Sequence, residues 1–195
     1  MAARFPRMHM MMPDDPIIAA TRRWIEKAVI GLNLCPFAKG VYVKKQIRYT
    51  VSPARDTAAL LDDLVGALHL LQESDPEQVD TALLIHPHVL NDFLEYNEFL
   101  GVADATVDAL GLRGEIQIAS FHPDYQFAGT GKDDIENFTN RSPYPLLHLL
   151  REASIERAVE AFPQAEDIFR QNMETLRRLG HAGWAQLDAG KAKGF

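Results

Sequence analysis

Between Ser120 and Pro145 the chain gathers side chains that could do acid–base or binding chemistry. The run Ser120-Phe121-His122-Pro123-Asp124-Tyr125-Gln126-Phe127-Ala128-Gly129 leads to Asn137-Phe138-Thr139-Asn140-Arg141-Ser142-Pro143-Tyr144-Pro145. Neither part keeps a helical or strand period over some twenty residues. Compact domains rarely carry so long an irregular segment without a use for it. Its aromatics Phe121, Tyr125, Phe127, Phe138 and Tyr144 call for burial and argue against disorder. His122 could serve as a general acid or base, with Asp124 orienting it and Tyr125 alongside. Arg141 and Ser142 precede what reads as a helix beginning near Pro145, and an Arg fork at a helix N-terminus is an anion site. The same groups could simply cap that helix, with Arg141 paired to Asp134. Asn137, Asn140 and Tyr144 could add neutral hydrogen bonds to a substrate.

Two further places could join this chemistry. Cys35, the only cysteine, could be a nucleophile with His122 or His86 as its base. It follows a helix C-terminus, where the dipole opposes a thiolate, so a buried inert thiol is the alternative. His86-Pro87-His88 ends a short apolar run, and residues two apart on a strand share a face. With His122 they would make three imidazoles, a set suited to zinc or another borderline divalent metal. The competing reading is that each histidine hydrogen-bonds locally. Gly129-Thr130-Gly131-Lys132 looks like part of a phosphate loop, but it lacks the earlier glycine spacing, and Asp133 stands where Ser or Thr belongs.

The elements that must position these groups follow from patterning. Asp15-Pro16 starts a helix whose stripe includes Ile17, Ala20, Trp24 and Ala28, with Gly31 as its stop. Val41, Val43, Ile47, Tyr49 and Val51 alternate as a half-wet strand of the kind found at a sheet edge. Ser52-Pro53 then opens a helix to about Gln72, with Leu60, Leu64, Leu68 and Leu71 inward. Thr81–Ile85 reads as a buried strand, Asn91–Leu110 as a helix ending at Gly111, and Glu115–Phe121 as a third strand. Helices are expected near Pro145–Arg151, Ser154–Phe162 and Ala165–Leu179, the last stopped by Gly180. The predicted fold is α/β: a small layered domain whose three- or four-stranded, mostly parallel sheet is flanked by helices and followed by a helical C-terminus. Ligands of parallel sheets sit outside the carboxyl ends of the strands. Ser52, His86 and His122 fall there, and His86 and His122 would be several ångströms apart if their strands are neighbours.

Bulk composition narrows the function classes. The 195 residues suit one globular domain over 14–188, with a flexible leader at 1–13 and a tail at 189–195. A net charge of −7 disfavours nucleic-acid binding through bulk charge. No apolar run reaches membrane-span length, and the leader has no apolar core or cleavage site. One cysteine and no secretion signal predict a cytoplasmic protein.

Gly31-Leu32-Asn33-Leu34-Cys35-Pro36-Phe37-Ala38, Leu84-Ile85-His86-Pro87, Ser120 through Gly129, and Asp134-Ile135-Glu136-Asn137 through Arg151-Glu152-Ala153-Ser154 resemble the bacterial family called domain of unknown function 1415. The resemblance runs from about Trp24 to Trp184. It carries no established activity, substrate or cofactor. It implies that Cys35, His86, His122, Asp124, Tyr125, Asn137, Asn140, Arg141, Ser142 and Tyr144 belong to motif segments, whereas His88 does not. Cys35, His86 and His122 are then the better metal set. The leading expectation is a cytoplasmic enzyme for a small anionic metabolite. The alternatives are a metal-binding protein and a non-enzymatic ligand- or partner-binding module.

Overall fold

The structure is a computed structural model that describes residues 15–161 and 167–189. The expected leader and residues 190–195 lie outside the described residues.

Asp15 caps helix α1 (Pro16–Trp24) by accepting from the N–H groups of Ile17 and Ile18. The helix widens into a π-helical segment, Ile25–Ile30, and Gly31 ends it. A Cβ at Gly31 would stand 2.3 Å from the Lys27 carbonyl oxygen, so this exit requires glycine. Helix α2 (Ala38–Val43) follows, then strand β1 (Ile47–Val51), helix α3 (Thr57–Glu73), strand β2 (Thr81–Ile85) and helix α4 (Phe93–Ala109). Strand β3 (Ile116–Phe121), a 3₁₀ segment (Ile135–Thr139), strand β4 (Leu146–Arg151), helix α5 (Glu152–Ala161) and helix α6 (Ile168–Gln186) complete the order.

The α/β layering matches the expectation, and the sheet is mixed. Its order is β1-β2-β4-β3, with β1 and β2 parallel and β4 antiparallel to both neighbours. The fourth strand is the segment Pro145–Arg151 that sequence patterning assigns to a helix. Leu146-Leu147-His148-Leu149-Leu150 is apolar because it is paired on both edges and covered on both faces. A short run of that kind has no period to separate strand from helix, and leucine favours the wrong choice. Val41 and Val43 are another correction, since they lie in α2 and the strand starts at Ile47. Asp56, not Ser52, caps α3. The Ser52 hydroxyl instead donates to Asp63 Oδ2 at 2.5 Å and accepts from the Ala54 N–H.

Alternate strand residues supply two cores. Ala82, Leu84, Leu147, Leu149 and Ile116 pack under α3 and α4. Tyr49, Leu83, Ile85 and Leu146 pack under α1 and the π-helical segment, with Tyr144 and half-buried Trp184 in the same cluster. Arg151 ends β4 by donating to the carbonyls of Leu71, Ser74 and Val79, which satisfies the exposed end of α3. Tyr96 on α4 is fully buried. Its hydroxyl donates to the Leu146 carbonyl at 2.9 Å and accepts from the Phe121 N–H at 3.0 Å, so one phenol joins β3 to β4.

Candidate functional site

The irregular segment between β3 and β4 has no ladder to satisfy its backbone, and its polar side chains do that work. Asn137 is completely buried. Its Oδ1 accepts from the Phe127 N–H at 3.0 Å and the Thr130 hydroxyl at 2.8 Å, and its Nδ2 donates to the Gly131 carbonyl. Asn140 Nδ2 donates to the Ser120 carbonyl, while its own carbonyl accepts from the His122 N–H. The Ser142 hydroxyl donates to the Tyr144 carbonyl at 2.7 Å. Tyr144 is buried against the α1 core. The side chains of Asn137, Asn140 and Ser142, expected to meet a substrate, therefore hold the loop.

His122 and His86 are both fully buried, and both rings lie against Tyr96, with centroid distances of 5.0 and 5.8 Å. Their strands are separated by β4, so the contact runs through α4 rather than across a ladder. His122 Nε2 donates to the Leu90 carbonyl at 3.1 Å, and Nδ1 accepts from the Asp124 N–H at 3.0 Å. This fixes the Nε2–H tautomer and leaves neither nitrogen for a substrate. Burial lowers its pKa below the usual histidine value, opposed by the Leu90 hydrogen bond and the charge of Asp124. Asp124 thus touches His122 with its backbone, and its side chain faces solvent. His86 Nδ1 donates to the Val89 carbonyl at 3.0 Å, and its buried Nε2 has no partner. Burial brings its pKa down to about 4. Leu90, whose carbonyl receives His122, has φ of 57°, a conformation costly for a branched side chain. The two imidazoles shape the turn 86–91, and His88 lies exposed on it.

Cys35 is partly buried on the exit from the π-helical segment. Burial raises its thiol pKa, against the opposing effect of the Phe37 and Ala38 N–H groups. Among the described residues no group of three or more His, Cys, Asp or Glu could hold a metal ion, so Cys35, His86 and His122 are not gathered into a ligand set. Tyr125 packs its ring between Phe93 and Phe127.

Arg141 is the expected charged binding residue, and with its neighbour Ser142 it reaches a cavity. No helix begins at Pro145, so the anticipated helix-terminus site is absent, and the loop itself aims the guanidinium. Nε donates to the Tyr125 carbonyl at 3.2 Å, Nη2 to the Lys132 carbonyl at 2.6 Å, and the group lies 4.3 Å from the Phe138 ring centroid. Among the described residues no carboxylate forms an ion pair with it, Asp134 included, and Nη1 has no hydrogen-bond partner. Burial lowers its pKa, and the charges of Asp124 and Asp133 raise it.

The cavity has a volume of about 670 Å³ and is lined by Trp24, Pro123, Phe138, Arg141, Ser142, Pro143, His181, Trp184, Ala185, Asp188 and Ala189. Its size and largely apolar wall suit a small-molecule site. Five of these residues follow Gly180, where α6 kinks with φ 64° and ψ 175°. The first half of α6 is fixed by Asn172 Nδ2 donating to the Leu34 carbonyl and by Arg177 donating to Glu136. The kink turns the second half over the cleft. Sequence reading ended the helix at Gly180 and so missed His181, Trp184 and Asp188; the spacing of His181, Trp184 and Asp188 by three and four residues was the available signal.

A family model described as a protein of unknown function (DUF1415) matches residues 16–186. No curated protein and no solved structure matches the chain.

Proposed function

The chain belongs to this family of unknown function, and from that premise we propose that its cleft binds a small anionic metabolite through Arg141. One observation carries the reading. A half-buried guanidinium is held by two carbonyls and an aromatic ring, has no carboxylate partner among the described residues, and borders a cavity. With no carboxylate in contact, the partly desolvated guanidinium gains from an anion that touches it. The fork also has N–H groups left over, the geometry that carboxylates and phosphates accept.

Any proton transfer to a bound anion falls to His181 or Asp188, the titratable neighbours of Arg141 in the lining. His122 then acts on the site only through the backbone it holds at Leu90 and Asp124. A lone cysteine, with no helix among the described residues long and apolar enough to cross a membrane, supports a cytoplasmic setting.

The test is calorimetric titration of the full chain with acetate, benzoate and inorganic phosphate, on wild type and on Arg141→Gln. At least one of these anions should bind the wild type, and the substitution should weaken it at least about tenfold. Equal binding by the two proteins would defeat the assignment.

A further inference from the structure

We infer that the occupant of the Arg141 cleft is a monoanionic aromatic acid, a planar ring bearing one carboxylate. The inference rests on the anion-binding reading and adds the class of ligand.

Charge comes first. Among the described residues Arg141 is the cleft's unpaired cation, while Asp188 at its edge is matched by Arg23 at 3.6 Å. Asp124 and Asp133 lie close enough to act on Arg141. The surroundings of the guanidinium thus already carry negative charge, which opposes a doubly charged phosphate ester more than a singly charged carboxylate.

The wall then selects the body. A volume of about 670 Å³ is far larger than acetate or phosphate needs. Phe138 has Arg141 over its ring, Trp184 standing near-perpendicular at 5.1 Å and 73°, and His181 likewise at 5.4 Å and 76°. Neither ring is stacked closed on Phe138, and Trp184 is only half-buried. Trp24 is buried against Phe121 at 5.3 Å and forms a fixed floor. Rings meeting rings in offset or edge-to-face geometry gain more than their buried area alone. The guanidinium accepts a planar carboxylate in the same setting. An aliphatic acid of equal size would fill the space without that gain.

Calorimetric titration of the full chain with 2-naphthoate, octanoate, acetate and inorganic phosphate tests this. 2-Naphthoate should bind about tenfold more tightly than octanoate, and acetate and phosphate more weakly still. Trp184→Leu should bring 2-naphthoate and octanoate within about threefold, whereas Arg141→Gln should weaken both at least about tenfold. Equal affinity of the wild type for 2-naphthoate and octanoate overturns the aromatic class and leaves anion binding standing. Preference for phosphate also overturns the class. Failure of all four to bind removes both readings. The wild-type comparison decides the matter even where Trp184→Leu fails to fold.

Discussion

Acid should weaken this fold through the imidazole at the end of β2. His86 has no solvent exposure, its Nδ1–H is given to the Val89 carbonyl, and Nε2 faces the interior without a partner. A proton on Nε2 would bury both a charge and an unsatisfied donor, and the groups facing the ring are Tyr96 of α4 and His122 at the end of β3. The folded protein therefore holds His86 neutral down to about 4, while the unfolded chain takes up the proton near the ordinary 6.5. The folded value is the lower one, so the stability is complete above 6.5 and drains as pH falls toward 4. At 1.36 kcal/mol per pH unit of difference, the loss is about 2 kcal/mol by about pH 5 and about 3 kcal/mol when complete. His148, hydrogen-bonded to Thr81 and also lowered to about 4 by burial, adds a loss of the same sign and leaves a background that survives substitution at His86. The measurement is urea unfolding at about pH 7.5 and about pH 5 on wild type and His86→Asn, whose amide can still donate to Val89. The variant starts less stable, yet between the two pH values it should lose about 2 kcal/mol less than the wild type. An identical loss in both proteins would refute the account of His86.

Three further outcomes follow from single groups. Tyr96→Phe removes the phenol shared by Leu146 and Phe121, and should cost about 1–3 kcal/mol in denaturant unfolding. Gly180→Ala meets no obstruction at its Cβ but forces alanine into a backbone region almost reserved for glycine. It should cost about 1–3 kcal/mol or straighten α6, and in either case weaken ligand binding at the cleft by calorimetry. Cys35, its thiol pKa raised by burial, should react with iodoacetamide at about pH 8 at least about tenfold more slowly than a free thiol, with the difference vanishing in urea; mass spectrometry of the alkylated chain reads it directly.

The parts of this fold that sequence reveals are those with strong local punctuation. Thr81–Ile85 is five apolar or small residues between breakers, and it is β2. Asp15-Pro16 marks a helix start because capping is a contact between near neighbours. Leu146–Arg151 defeats the same reasoning because its identity as a strand depends on β2 and β3, both distant in sequence. For the site, sequence pointed to the segment Ser120–Pro145, and there Arg141 borders the cavity while Asn137 and Asn140 tie the loop. Asn137, Asn140 and His122 were given chemical roles because a polar side chain that ties a loop has the same letters as one that grips a substrate. Trp184 and His181 were missed because their place over the cleft is set by the unusual backbone at Gly180, which sequence reads as a stop.

The strand order has a consequence for the growing chain. Among the described residues β3 is hydrogen-bonded only to β4, and β4 is the last strand made yet sits between β2 and β3. A ribosome that has released residues only as far as Phe121 offers one parallel pair, β1 with β2, and an orphan strand. Both would expose unpaired edges until Leu146–Arg151 emerges and joins them in a single insertion. The sheet is thus completed late in synthesis, and it relies on pairings far apart in the chain, the kind that fold slowly. The same insertion draws the Ser120–Pro145 segment closed, and the cleft is complete only once the second half of α6 follows.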